Sequence, residues 1–154
     1  MAKVKANRIA VYVFRTAAGG VEFLQLRRGA GDYAGTWQTV YVGIENGETA
    51  VEAAQRELKE ETGFTAVTLH QVEYLEGFYD RRRDRVSLLP VFAARVNRGA
   101  RPTLDAEHNA YRWVPLDQVQ RQFLWRVQRQ AIQIIVEDII GVSPARSLLR
   151  IGDA

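Results

Sequence analysis

The sequence predicts an α/β fold of the α+β kind, a mixed β-sheet covered by helices. Segments of strand character precede, surround and follow two segments of helical period, which is the pattern of a sheet with helices packed on it. The size agrees: 154 residues, 47% hydrophobic and 25% charged, suit one domain spanning residues 1–154 with a proper core.

Each element has its own signal. Residues 8–16, RIAVYVFRT, are rich in β-branched and aromatic side chains and read as a strand. AAGG breaks it, and residues 21–28 alternate as a second strand, so the two form a hairpin. GAGDYAG is a loop, residues 36–42 are a third strand, and GIENGE is a turn. Thr49 followed by Glu52 fits a capping box, and Gly63 fits a helix stop, which frames a helix between them. Residues 67–78 and 85–96 read as longer strands joined by the charged YDRRRDR. A loop, RGARPTLDAEHN, leads into a last strand over residues 110–116. Residues 125–140 have helical period, with Val127, Ala131, Ile134, Ile135 and Ile139 on one face.

Composition bounds the function. A net charge of +3, with Arg far outnumbering Lys, mildly favours an anionic ligand, because the guanidinium fork matches phosphate oxygens. It is too small to argue for a nucleic-acid partner. The absence of Cys excludes disulfides and thiolate metal sites and leaves the compartment open. No apolar run is long enough to span a bilayer, and the first residues lack a signal-like apolar core. A soluble, cytoplasmic protein that is not a membrane partner is the expectation; monomer and homodimer remain open.

The stretch QRELKEETGF places Glu57, Glu60 and Glu61 within one helical turn, where like charges repel. On a helical wheel Val51, Ala54 and Leu58 form the core stripe, and Glu52, Gln55 and Lys59 face solvent. The three acids lie beside the core stripe, on a face shared with Ala50 and Ala53, where water screens them less. That arrangement is costly unless a cation neutralises it. A hard divalent cation such as Mg²⁺ takes one or two carboxylates directly and completes its shell with water and substrate phosphates. With no Cys and only His70 and His108, zinc is disfavoured. Taken alone, the acids also suit a solvated surface turn balanced by Arg56 and Lys59.

The segment GIENGETAVEAAQRELKEETGF resembles the Nudix box, G-x5-E-x7-R-E-U-x-E-E-x-G-U, with U a bulky apolar residue. Glu48, Arg56, Glu57, Leu58, Glu60, Glu61, Gly63 and Phe64 stand in register with it. One position departs: the opening Gly falls on Val42, with Gly43 one place late. The resemblance implies a Nudix-type mixed sheet sandwiched between helices, with the box as loop–helix–loop. It also implies a pyrophosphohydrolase that uses Mg²⁺ or Mn²⁺ to cleave a diphosphate linkage in a nucleotide-like substrate. The segments LQLRRGAGDYAGTWQTV, AEHNAYRWVPLDQV and RQAIQIIV further resemble the branch that includes the dihydroneopterin triphosphate pyrophosphatases and dATP pyrophosphohydrolases. That branch implies a nucleoside or pterin triphosphate, cleaved to monophosphate and pyrophosphate. A dinucleoside polyphosphate, an RNA 5′ end, ADP-ribose, or a binding module without catalysis are the alternatives.

On this resemblance Glu57, Glu60 and Glu61 are the metal ligands. Glu57 and Glu61 are also catalytic, with Arg56 orienting a carboxylate and Glu107 completing the site or serving as base. Asp105 competes with Glu107 for that role. Arg28, Trp37 and Glu48 are expected to serve substrate: Arg28 on a phosphate, Trp37 against a heterocycle or within the core. His108 and Trp113 read as structural.

Overall fold

The computed structural model describes residues 1–65 and 67–152. Its strands are β1 (Lys3–Lys5), β2 (Arg8–Ala17), β3 (Gly20–Arg28), β4 (Trp37–Gln38), β5 (Val40–Gly43), β6 (Thr68–Asp80), β7 (Arg85–Arg95), β8 (His108–Pro115) and β9 (Arg150–Ile151). Its helices are α1 (Ala50–Thr62), α2 (Val119–Gln122), α3 (Arg126–Ile135) and α4 (Arg146–Leu149).

All nine strands join one sheet, with β2 and β7 parallel at its centre. The β2–β3 and β6–β7 hairpins are antiparallel, and β8 covers the outer edge of β3. The sheet is thus mixed, as expected. Strand β2 explains why it is buried on both sides. Ile9, Val11 and Val13 join a core with Ala53, Ala54 and Leu58 of α1. Ala10, Tyr12 and Phe14 join a second core with Ala131, Ile132 and Ile135 of α3. Period-two alternation splits one apolar run between two helices, and side chains of this size contribute about 1.5–3 kcal/mol each on burial.

The third expected strand is two. Residues 37–38 pair with β3, residues 40–43 pair with β2, and Thr39 breaks the run between them. Thr39 is buried, and its hydroxyl donates to the Val11 carbonyl at 2.6 Å. Strands β3 and β5 therefore divide one edge of β2, β3 along 14–17 and β5 along 8–11. The sheet opens where they part.

The late helix also differs. It starts at Arg126, and residues 136–140 continue it in wider π geometry. The buried residues of α3 are Gln128, Ala131, Ile132 and Ile135, followed by Ile139, so Val127 and Ile134 lie at the margin. The stripe is rotated because Gln128 turns inward; its Oε1 accepts from the Trp125 N–H at 3.2 Å. The short elements β1, α2, α4 and β9 have too few residues to show a period.

Candidate active site

Helix α1 carries the acids because both of its ends are fixed. The Thr49 side chain accepts from the Glu52 N–H at 3.2 Å, and the Glu52 carboxylate accepts from the Thr49 N–H at 2.7 Å. Gly63 adopts φ 74°, and its N–H bonds the Lys59 carbonyl at 2.8 Å. Only a residue tolerant of the left-handed region closes a helix this way. The next loop is pinned on that end by the Thr103 N–H, which donates to the Thr62 carbonyl at 2.9 Å.

Arg56 ties the loop before the helix to the acids on it. Its Nε donates to Glu48 Oε1 at 2.6 Å and its Nη2 to Glu48 Oε2 at 3.0 Å, a two-pronged contact. Its Nη1 meets Glu57 and, at 3.3 Å, Glu60. Nη2 also reaches the Gly43 carbonyl at 3.2 Å. Glu48 accepts the Glu45 N–H as well, at 2.9 Å. The Arg56 hydrogen bond, then that N–H, hold the Glu48 carboxyl below its ordinary range. Both Glu48 oxygens are committed, so Glu48 supports Arg56 instead of lying open to substrate.

The acids divide by depth. The Glu60 side chain is 58% exposed and that of Glu57 20%, whereas Glu61 is buried. The expected cluster at the core edge is thus Glu57 with Glu61, and Glu60 points outward on Arg56. Burial pushes the Glu61 carboxyl up to about 8, followed by the charges of Glu57, Asp105 and Glu107; Arg28 pulls it back. Among the described residues nothing donates a hydrogen bond to Glu61.

The loop before β8 adds what the sequence left open. Oxygens of Glu61 and Asp105 and a ring nitrogen of His108 lie within 4.8 Å of one another. Asp105 Oδ1 is 2.8 Å from His108 Nδ1 and accepts the Glu107 N–H at 3.2 Å. Asp105, named as the competitor, is the acid that joins Glu61, and His108 joins it too. Glu107 is exposed on the rim, close enough for its charge to act on Glu61. A buried carboxylate with three acidic neighbours and no donor fits a divalent cation held by oxygen ligands.

Arg28, at the end of β3, reaches Glu61 electrostatically. Trp37 is half-buried, opposite Arg27 in register, with the Arg112 guanidinium 4.2 Å from its ring centroid. It belongs to neither core. Trp113 packs against the α1-side core, with Arg15 over its ring at 4.0 Å. Val42 is buried in that core, and Gly43 supplies the carbonyl on Arg56, so the shift of the opening Gly leaves the loop tied to the helix. A concavity of about 280 Å³ opens beside the other flank of α1, among Gln55, Lys59, Phe64, Thr68 and Arg150. It contains none of the acids, so charge and geometry locate the site, not depth.

Residues 6–133 match the NUDIX domain model. The chain belongs to the Nudix family. It is a Nudix pyrophosphohydrolase acting on nucleotide-like substrates. The asymmetrical bis(5′-nucleosyl)-tetraphosphatase of Rattus norvegicus is 34% identical over 103 residues, 64% of this chain and 67% of that one. The E. coli dihydroneopterin triphosphate pyrophosphohydrolase superposes with a TM-score of 0.66 at 24% identity, over 87% of this chain and 100% of that one. The Nudix domain of Shewanella oneidensis NrtR, complexed with ADP ribose, superposes with a TM-score of 0.71 at 19% identity, over 89% and 88%. At these identities the two structures bear on the fold alone. No described helix is long and apolar enough to cross a membrane.

Proposed function

We propose that this Nudix enzyme hydrolyses a nucleoside or pterin triphosphate to its monophosphate and pyrophosphate, with Mg²⁺ or Mn²⁺. One observation carries the reading: Glu61 is a buried carboxylate whose neighbours Glu57, Asp105 and Glu107 are all acidic. Glu57, Glu61 and Asp105 would hold the cation, with Glu60 reaching it only by leaving Arg56. When bound, the cation neutralises phosphate oxygens and lowers the barrier to water attack. The chain's own groups do the rest. Arg56 fixes Glu57 in place and couples it to Glu48. Glu107, solvent-facing beside the acids, takes the proton as the water oxygen bonds to phosphorus and the α–β bridge breaks. Arg28 meets a phosphate, and Trp37 offers its face to the heterocycle.

The likeness to the rat tetraphosphatase favours, as a second reading, a dinucleoside tetraphosphate. Incubation with dATP, dihydroneopterin triphosphate, diadenosine tetraphosphate and ADP-ribose in Mg²⁺, followed by product separation, distinguishes them. Pyrophosphate from a triphosphate is the expected result. Cleavage of the tetraphosphate with neither triphosphate touched moves the assignment to the second reading, and turnover of none of them contradicts both.

A further inference from the structure

Beside the acids lies a set of cations of which only Arg28 has a role in hydrolysis so far. Arg8 opens β2, Arg28 closes β3 and Arg85 opens β7. Arg8 pairs in register with Gly43 and Arg28 with His108, so both stand at the end of the sheet where the acid-bearing loop and helix α1 meet it. Its guanidinium, already disfavoured by partial burial, feels Arg85 and Arg28 as repelling neighbours and Tyr41 and Glu61 as attracting ones.

These cations are poorly matched inside the protein. The Nε atoms of Arg28 and Arg85 are buried without hydrogen-bond partners. The Arg8 side chain makes no hydrogen bond or ion pair with any described residue. Arg85 lies 3.8 Å from Asp80, but Asp80 is engaged more closely by Arg83, at 2.9 Å. Converging guanidinium groups with orphaned N–H donors are unfavourable until an anion fills the space between them. Guanidinium forks match phosphate oxygens in geometry as well as charge.

Arg83, on the β6–β7 hairpin tip, senses Asp32 and Tyr33 of the β3–β4 loop. Arg28 stands at the base of one of these loops and Arg85 at the base of the other. We propose that Arg8 and Arg85, together with Arg28, form an anion subsite adjoining the acid cluster that holds the substrate phosphates beyond the cleaved linkage. The enzyme then demands a chain of three or more phosphates and discriminates against diphosphate-bridged compounds. The use of the subsite in turnover rests on the hydrolase reading above; its affinity for polyphosphate does not.

Calorimetric titration of inorganic tripolyphosphate into the metal-free protein, in excess chelator, tests it. The wild type binds tripolyphosphate, and orthophosphate far more weakly. Arg8→Gln and Arg85→Gln each weaken binding about tenfold, the loss of one charge-assisted contact. Arg85→Lys recovers part of it, and Arg82→Gln at the exposed hairpin tip leaves it unchanged. Thermal melts of each variant check folding. No binding by the wild type, undiminished binding by Arg8→Gln and Arg85→Gln, or equal weakening by Arg82→Gln each overturns the subsite, even in an active enzyme. Tripolyphosphate binding that depends on Arg8 and Arg85, in a protein that cleaves no triphosphate, keeps the subsite and removes the hydrolase reading.

Discussion

Glu76 lies 1% exposed beneath α3, where the Tyr12 hydroxyl donates to one carboxylate oxygen and the Tyr41 hydroxyl to the other, the latter at 2.8 Å. Burial raises its pKa, and the two hydroxyls only partly offset the rise. A carboxyl with a raised folded pKa contributes stability that is complete below its unfolded value and is lost as pH climbs through the folded one. Urea unfolding of wild type and Glu76→Gln between pH 4 and pH 8 is expected to show their stability difference moving in favour of the wild type as pH falls. A difference independent of pH would mean that burial does not shift this group. At the same scale, Glu57 and Glu61 were legible because helical period places them beside Leu58. The outward turn of Glu60 was not, since it follows from the reach of Arg56. Asp105 and Glu107 stand two residues apart in a loop without period, and which acid returns to the helix follows from tertiary contacts, the Thr103 N–H on Thr62, Asp105 on His108 and the Gly29 N–H on the Glu107 carbonyl.

Among the elements, α1 was read closely from its caps, and Gly63 shows how much rests on one of them. A Cβ there would sit 3.4 Å from the Thr103 Cβ and would hold φ 74°, a region that costs a side chain about 1–2 kcal/mol. Gly63→Ala is expected to lose about that much stability by denaturant titration and also to shift the loop that carries Asp105. Thr49→Ala loses about 1 kcal/mol from the opposite end of the helix, by removing the N-cap. Measured on fully folded protein, Gly63→Ala should therefore depress kcat far more than Thr49→Ala; equal rates would detach the Asp105 loop from the site. Strands β2, β3, β6 and β7 were legible because long β-branched and aromatic runs survive errors at their ends. The break at Thr39 was not, because Thr is itself a good strand residue and only the change of partner from β3 to β2 requires it.

For the whole molecule, the position of the site follows from the sheet opening where β3 and β5 part, with α1 setting acids on one side and strand ends setting arginines on the other. A cation that binds only the folded state stabilises it by mass action. Thermal melts in saturating Mg²⁺ or Mn²⁺ should therefore lie several degrees above those in chelator, and coincident melts would remove the acid cluster as a metal site. The most direct measurement is ³¹P NMR of a nucleoside triphosphate incubated with Mg²⁺ and either wild type or Glu61→Gln, both verified as folded. Wild type should convert the triphosphate to monophosphate and pyrophosphate. Glu61→Gln should lose at least about a hundredfold in rate, in line with the removal of one charged group that stabilises a transition state. Full activity in Glu61→Gln, or orthophosphate with diphosphate as the products, would contradict the assignment.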